Sequence, residues 1–326
     1  VHDCAQSVLV CAVFDLLCKG TVESVPEGEG GVGMGLRYKV PEEKRIRVIV
    51  DTDAACEADD PFAIAHALMT KKFEVKGITA EHFVTEGSVE KSLAEVKTIL
   101  RLMRKDVPAL LGNKGPLSVD DSLSEAGEFI VKEAMKEDTK PLFVLCLGAI
   151  TNVAAALKKH SEIAKHMTII WIGGHNLDLT EIPFREFNSG NDIEAANIVM
   201  KSEAELWLVP SNVYGSMHIS LAEIQDRISG SGLIGRHLFE QMIEYNSSPA
   251  ASWTQGESWS LGDSPAVGIA MNPDCGTYVY REAPIFNEDT SARFDGTGRK
   301  IRVYTSVDSR FILEDLIAKM RILYGE

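Results

Sequence analysis

The stretch that decides the fold is "VIVDTDAACEADDPFAIAHAL", residues 48–68. It opens with a β-branched apolar run that is typical of a buried strand, and it closes with apolar residues at helical spacing after Pro61. Two carboxylates about 4 Å apart repel by about 4 kcal/mol in a surface cleft of intermediate dielectric. The acids between strand and helix therefore predict a compensating cation. They are Asp51, Asp53, Glu57, Asp59 and Asp60.

A helix cap is the alternative explanation for these acids. Asp59 or Asp60 could cap the helix that begins near Pro61 and complement its dipole. Capping uses one acid, occasionally two, and leaves Asp51 and Asp53 at the strand end without a role. A hard divalent cation such as Ca²⁺ or Mg²⁺ takes several carboxylate ligands and accounts for all of them. The sequence therefore favours metal binding over capping.

From Arg45 onward the chain alternates short β-branched runs with longer runs of helical period. This alternation predicts an α/β fold, with an open, mostly parallel, doubly wound (Rossmann-like) sheet, helices on both faces and a small C-terminal hairpin. Such sheets bind ligands at the carboxyl ends of their strands. The predicted strands span 45–50, 73–80, 107–112, 142–148, 167–173 and 205–210, and the hairpin spans 277–286 and 299–307. The predicted helices span about 61–71, 87–104, 121–136, 151–160, 192–202, 220–245 and 309–325.

Composition bounds the domains and the partners. With 326 residues, 45% of them hydrophobic, the chain can bury a full core. We expect an α/β domain over 38–326 after an extension with a glycine-rich linker over 1–37. The net charge of −15 disfavours a nucleic-acid partner, and the apolar stretch 7–18 is too short to span a membrane. The six cysteines form no Cys-x-x-Cys pair, which favours a reducing, cytoplasmic setting.

Three further polar segments follow predicted strands. Residues 148–152 ("GAITN") follow the fourth strand, and a long loop after the fifth carries Glu186 and Asn188. Loops of that length in compact domains are usually functional. Asp263 lies on a turn before Pro265, where a helix cap is the simpler explanation for that residue taken alone.

Taken in order, these motifs resemble the nucleoside hydrolases, which are calcium-dependent N-ribohydrolases. The resemblance covers about 45–325 and implies Ca²⁺-dependent hydrolysis of the N-glycosidic bond of a small ribonucleoside, giving free base and ribose. It also implies a homo-oligomer, either a dimer or a tetramer. The matching motifs are Asp51-x-Asp53 with Asp59-Asp60 at a helix start, Gly148–Asn152, Glu186–Asn188 followed by Asp192–Ala196, and Asp263–Val267.

The same resemblance implies roles for individual residues. Asp53, Asp60, Asp263 and the backbone carbonyl of Thr151 would hold the Ca²⁺. Asp53 would also act as the general base that takes a proton from a Ca²⁺-bound water. Hydrolysis passes through an oxocarbenium-like state, which a ring of carboxylates stabilises by its negative field. The residues implied to bind ribose hydroxyls are Asp59, Glu186 and Asn188.

The chain departs from the family pattern in two places. Five residues, "AACEA", separate Asp53 from Asp59 where the family usually has three, and they add Glu57. Gly262 stands before the late metal-binding aspartate, where members that accept inosine or pyrimidine nucleosides often have a histidine that helps the base to leave. Leaving-group activation must then come from elsewhere, and base specificity stays open. The candidates are His82, His175 and stacking on Trp253 or Trp259.

Two other functions fit parts of the pattern. Because the leaving-group histidine is missing, the chain could be a non-catalytic nucleoside- or sugar-binding protein of the same fold. A Mg²⁺-dependent phosphatase of the haloacid dehalogenase type also has Asp-x-Asp after its first strand, and Asp51 would then be the nucleophile. That mechanism gives no role to Asp59, Asp60 or the Glu186–Asn188 motif, so nucleoside hydrolysis is the favoured hypothesis.

Overall fold

The computed structural model describes residues 35–179 and 181–325. Its strands are β1 (Ile46–Thr52), β2 (Phe73–Ala80), β3 (Ala109–Leu110), β4 (Leu142–Cys146), β5 (Met167–Ile172), β6 (Glu205–Val209), β7 (His218–Ser220), β8 (Ser258–Ser260), β9 (Gly276–Glu282), β10 (Ile285–Phe286), β11 (Ala292–Arg293) and β12 (Lys300–Val307). Its α-helices are α1 (Asp60–Met69), α2 (Ser88–Leu102), α3 (Glu125–Ala134), α4 (Thr151–Lys159), α5 (Phe187–Asn191), α6 (Ile193–Lys201), α7 (Ser211–Tyr214), α8 (Leu221–Arg227), α9 (Gly232–Asn246), α10 (Ser264–Met271) and α11 (Ser309–Tyr324). Short 3-10 helices span Glu42–Lys44, Ser161–His166, Pro249–Ala251 and Pro273–Cys275.

In the described residues the central sheet has eight strands in the order β3-β2-β1-β4-β5-β6-β12-β9. Neighbours from β3 to β12 pair in parallel, and β9 pairs antiparallel with β12 at the edge. The predicted open, mostly parallel sheet is therefore confirmed. The C-terminal hairpin extends this sheet, because β12 pairs with β6.

Strand β1 lies in the middle of the sheet and is buried along its whole length. Its side chains alternate between two hydrophobic cores, with Val48 and Val50 in one and Ile49 in the other. The first core contains residues of α1, α2, α9, α10 and α11, and the second contains residues of α3, α4 and α6. Helices therefore cover both faces of the sheet. The acids after β1 lie at the carboxyl ends of the central strands.

A buried arginine anchors the beginning of β1. Arg47 is 3% exposed, and its guanidinium donates to the carbonyl oxygens of Glu133 at 2.7 Å and Lys140 at 3.0 Å. The Glu133 carboxylate lies 3.8 Å from Arg47 Nη1. Buried charges are tolerated when they are paired and hydrogen-bonded. Arg47 therefore ties β1 to α3 and to the segment that enters β4.

The structure differs from the sequence expectations in detail. The single helix predicted over 220–245 is two helices, α8 and α9, because the chain turns at the Ser-Gly-Ser-Gly segment 229–232. Gly232 there has φ of +62°, a conformation that glycine adopts without strain. The strand predicted over 107–112 is reduced to Ala109–Leu110. The β7–β8 pair escapes prediction because strands of three residues are too short to show a period.

The amino-terminal predictions lie almost entirely outside the described residues, which begin at Gly35. This applies to the apolar stretch 7–18 and to nearly all of the glycine-rich linker. Among the described residues, no helix is both long enough and apolar enough to cross a membrane.

Candidate active site

A cleft of about 500 Å³ opens at the carboxyl edge of the sheet. Its walls include residues that end or follow β1, β4, β5 and β6, which is where parallel sheets of this kind bind ligands. The cleft brings together six residues that the sequence assigned to the site. They are Asp53, Asp59, Asp60, Glu186, Asn188 and Asp263.

Asp53 is packed tightly at the end of β1. It is 3% exposed, and its carbonyl oxygen accepts a hydrogen bond from Cys56 N at 2.7 Å, which turns the acidic loop back toward α1. Gly148, which follows β4, comes so close that a Cβ there would overlap the Asp53 carboxylate. The glycine that begins the 148–152 segment is therefore required by this close approach.

Three carboxylates gather beside Asp53. Oxygens of Asp59, Asp60 and Asp263 lie within 4.8 Å of one another. Asp59 and Asp263 are the N-cap residues of α1 and α10, but neither side chain caps its own helix. Asp59 Oδ2 instead accepts a hydrogen bond from Gly262 N at 3.0 Å, and Thr52 Oγ1 donates to Asp60 Oδ1. The capping explanation, which is the simpler one for Asp263 from sequence alone, is therefore wrong.

Burial and mutual repulsion raise the pKa values of these carboxyl groups. Burial, and then Asp60, raise the pKa of Asp53 well above its ordinary value. Burial also raises the pKa of Asp59, with Glu57 adding to it, and that of Asp263, with Asp59 adding to it. Burial and Asp60 raise the pKa of Glu57 to about 7. Hard oxygen donors with this much uncompensated charge fit a divalent cation such as Ca²⁺ or Mg²⁺.

These raised pKa values predict that Ca²⁺ stabilises the protein more at pH about 7 than at pH about 5. Without a cation, the carboxyl groups of the folded protein keep their protons at pH values where those of the unfolded chain have lost them, above pH about 4. The free energy of unfolding of the metal-free protein therefore falls as the pH rises. Bound Ca²⁺ stabilises the charged carboxylates and removes this loss. Urea unfolding with chelator or with excess Ca²⁺ at the two pH values measures the difference. A Ca²⁺ stabilisation that does not change with pH would contradict the expectation.

A second carboxyl pair, Asp51 and Glu81, lies behind the cleft and is fully buried. Asp51 Oδ1 accepts hydrogen bonds from Thr79 Oγ1 at 2.5 Å and Asn152 Nδ2 at 2.9 Å. Among the described residues, Asp51 Oδ2 and Glu81 Oε2 have no other partner, and one proton shared between the two carboxyls satisfies both. Burial raises the pKa of Asp51, and burial together with the charge of Asp51 raises the pKa of Glu81 well above its ordinary value, which favours one proton held between the two carboxyls. Asp51 is thus enclosed, and the structure gives no support to its use as a phosphatase nucleophile.

The loop after β5 places Glu186 and Asn188 in the cleft. Asn188 Nδ2 donates to the carbonyl oxygens of Leu147 at 2.7 Å and Ile172 at 2.9 Å, which ties the ends of β4 and β5 together. Glu186 Oε2 accepts from Ser189 N at 2.9 Å and caps α5. Both side chains are therefore held in the cleft by the ends of regular elements.

Thr151 and His82 lie beside each other, and neither lines the cleft. His82 Nε2 is 2.9 Å from Thr151 Oγ1, and Thr151 Oγ1 donates to Asp192 Oδ2 at 2.9 Å. Burial lowers the pKa of His82 to about 4, so its ring is neutral near pH 7. His82 is therefore a buried neutral residue that does not line the cleft, and metal binding by the Thr151 carbonyl stays a prediction.

His175 and Trp259 are also absent from the cleft lining of the described residues. His175 Nε2 donates to the carbonyl oxygen of Phe184 at 2.7 Å, so its ring positions the loop. Trp259 is 2% exposed and packs edge-on against Trp253, which does line the cleft. Tyr214 lines it too, although the sequence analysis did not single it out; its place soon after the sixth strand was the available signal.

A family model and a curated relative each match most of the chain. Residues 48–313 match the family described as inosine-uridine preferring nucleoside hydrolase. The pyrimidine-specific ribonucleoside hydrolase RihA of Salmonella paratyphi A is 29% identical over 268 residues, which cover 72% of this chain and 82% of that protein.

Two solved structures share the fold. A plant nucleoside hydrolase, PpNRh1, has a TM-score of 0.73 at 19% identity, with 84% of this chain and 98% of that chain covered. The purine-preferring ribonucleoside hydrolase from Gardnerella vaginalis has a TM-score of 0.72 at 20% identity, with 85% of this chain and 99% of that chain covered.

Proposed function

The chain belongs to the inosine-uridine preferring nucleoside hydrolase family of N-glycosyl hydrolases, and on that basis we propose that it hydrolyses ribonucleosides with a bound Ca²⁺ and with Asp53 as the general base. The observation that carries the proposal is the convergence of Asp53 with the cluster of Asp59, Asp60 and Asp263 in one cleft. A cleft of about 500 Å³ is of the size that small-molecule sites usually have. The products are free base and ribose.

The proposed ligands of the ion are Asp53, Asp60, Asp263 and the carbonyl of Thr151. Asp59 lies close enough to the cluster to join them or to hold a sugar hydroxyl. When bound, the ion supplies positive charge that balances the carboxylates, and it acts as a Lewis acid toward water and the sugar diol.

Asp53 is the proposed proton acceptor. Its carboxylate is buried at the end of β1 and held by the close approach of Gly148, so it is fixed in the cleft where the attacking water would give up its proton. As the bond to the base breaks, positive charge develops on the ribose ring. The surrounding carboxylates stabilise that charge because they are already fixed in the cleft.

The proposed contacts of the ribose hydroxyls are Asp59, Glu186 and Asn188, of which Asp59 and Asn188 each have one end fixed by backbone groups. Asp59 has one oxygen fixed by Gly262 N, and the amide nitrogen of Asn188 is held by two backbone carbonyls. Each side chain therefore keeps an oxygen that these contacts do not use, in an orientation that folding has already fixed. A site prepared in this way loses little entropy when the sugar binds.

Removal of divalent cations is expected to abolish hydrolysis, and Ca²⁺ is expected to restore it. Ribose release from a panel of purine and pyrimidine ribonucleosides, with chelator and then with excess Ca²⁺, measures this. Full activity in chelator would contradict the proposed role of the ion.

The same panel distinguishes the hydrolase from a binding protein. Nucleoside binding in Ca²⁺ without any release of ribose would favour the non-catalytic alternative, which the missing histidine at Gly262 keeps open. The base preference will follow from the panel. A homo-oligomeric state, dimer or tetramer, and a cytoplasmic location stay predictions.

A further inference from the structure

Glu57 lines the cleft, and the proposed reaction gives it no role. It belongs to the five-residue segment 54–58 between Asp53 and Asp59, where the chain departs from the family pattern. Its side chain is half-buried, and among the described residues its carboxylate has no hydrogen bond or ion pair. Asp59, in contrast, is held by Gly262 N. Glu57 therefore keeps its acceptor positions for a ligand in the cleft.

Helix α9 packs against the loop beside Glu57. Gln241 Nε2 donates to the carbonyl oxygen of Ala58, the next residue, at 3.0 Å. Tyr245 lies one turn further along the same helix. After burial, the charge of Glu57 is the largest cause that raises the pKa of the Tyr245 phenol, which agrees with a position of the carboxylate beside this ring. Glu57 therefore faces the part of the cleft that α9 borders.

Aromatic rings continue from α9 to the wall of the cleft. Tyr245 packs edge-on against Trp259 at 5.5 Å between ring centroids, and Trp259 packs against Trp253 at 5.2 Å. Trp253 lines the cleft and is 55% exposed. The proposed function places the ribose diol at the ion and Asp59, so the attached base extends away from the ion toward this aromatic wall. Such a wall suits a flat base, and Glu57 then lies at the edge of that base.

A carboxylate at the edge of the base distinguishes amino groups from carbonyl groups. An ionised carboxylate only accepts hydrogen bonds. Cytosine and adenine have an exocyclic amino donor, which pairs well with a Glu or Asp oxygen. Uracil and hypoxanthine have a carbonyl oxygen at the same place, and this oxygen also flanks their ring N–H. Its lone pairs would repel the carboxylate from either approach.

We propose that Glu57 determines the base preference by accepting a hydrogen bond from the exocyclic amino group, so that cytidine is favoured over uridine and adenosine over inosine. This inference rests on the proposed function. The preference is opposite to the one in the family's description, inosine and uridine. The unused acceptors of Glu57 and its place in the segment that departs from the family pattern support it.

The test measures kcat/KM for cytidine against uridine and for adenosine against inosine, in saturating Ca²⁺ at pH about 8, which keeps the carboxylate ionised. Comparing this ratio between Glu57→Gln and the wild type cancels the intrinsic difference between the two leaving bases. A hydrogen bond to a charged group corresponds to a change of roughly 10- to 100-fold. We expect the ratio to fall by about that factor in Glu57→Gln, because an amide donates to a carbonyl as well as accepting from an amine.

The matched control is Glu137→Gln, an exposed residue in the loop between α3 and β4, which should leave the ratio unchanged. Glu57→Ala has no hydrogen bond to lose within the described residues, so it should fold and show the same fall in the ratio. Thermal unfolding checks all three variants.

An unchanged ratio in both Glu57 variants would overturn the proposal. If calorimetry with Ca²⁺ alone then shows weaker binding, Glu57 belongs to the ion site instead. If the wild type hydrolyses none of the four nucleosides, calorimetric binding of the same nucleosides in Ca²⁺ repeats the comparison. A preference in binding that Glu57→Gln removes would support Glu57 while the hydrolytic function fails, and a preference that Glu57→Gln retains would overturn this inference as well.

Discussion

Asp53→Asn is expected to lower kcat for ribonucleosides by about 10³-fold, within the range that a general base contributes. Asparagine keeps the shape and an oxygen donor, but it cannot take a proton from water. Because Gly148 approaches this side chain closely, a substitution of the same size is the one that the site can accommodate. Steady-state hydrolysis in saturating Ca²⁺ gives kcat, and calorimetry gives the affinity for Ca²⁺.

The matched control for this prediction is Asp295→Asn. Asp295 is an exposed aspartate in the loop between β11 and β12, so its substitution makes the same change of net charge outside the cleft. It should leave kcat unchanged. An Asp53→Asn enzyme that binds Ca²⁺ and turns over at the wild-type rate would exclude Asp53 as the base.

Arg47→Met is expected to lower the free energy of unfolding by about 3 kcal/mol. The substitution leaves the buried carbonyls of Glu133 and Lys140 without their donor, and it removes one of the cations beside the Glu133 carboxylate. Lys136 also pairs with that carboxylate, which places the loss toward the lower end of the range for broken buried ion pairs. Urea unfolding in saturating Ca²⁺ measures the change.

Arg45→Met is the matched control two residues away. The Arg45 side chain is 32% exposed, and it pairs with Glu42 at 3.3 Å and Glu74 at 3.4 Å near the surface. Exposed ion pairs are worth about 0–1 kcal/mol, so this variant should unfold close to the wild type. Equal losses for the two variants would show that burial does not set the contribution of Arg47.

The sheet could be predicted because parallel strands that are buried on both faces consist of continuous apolar runs. Such runs can be recognised in the local sequence without knowing which strands pair. The runs at 73–80 and 167–173 match β2 and β5 to within one residue. The turn at 229–232 was visible as Ser-Gly-Ser-Gly, but the helical period continues on both sides of it and hides the break. Short strands such as β7 form because of their partner, which local sequence does not reveal.

For the candidate site, the sequence indicated which residues follow a strand, but it could not indicate in which direction their side chains point. The acids from Asp51 to Asp60 stood out by number, yet only the structure separates enclosed Asp51 from the residues that line the cleft. Likewise, the sequence offers Trp253 and Trp259 equally as candidates for stacking on a base, whereas of these two only Trp253 lines the cleft. Tyr214 and Glu81 escape prediction because they are single residues whose contacts, with Glu186 and with Asn152, join distant segments.

The hydrogen bond from Gly262 N to Asp59 Oδ2 joins positions 203 residues apart. This hydrogen bond connects the loop between β1 and α1 to the turn before α10. An ion bound by both Asp60 and Asp263 would strengthen the same connection. Closing so long a loop costs little more entropy than closing a shorter one, because the cost grows only with the logarithm of its length. The cleft therefore forms only when the segment around Gly262 and Asp263 has folded against the loop after β1. A partly folded molecule with only the first few strands in place has Asp59 and Asp60 but lacks their partners.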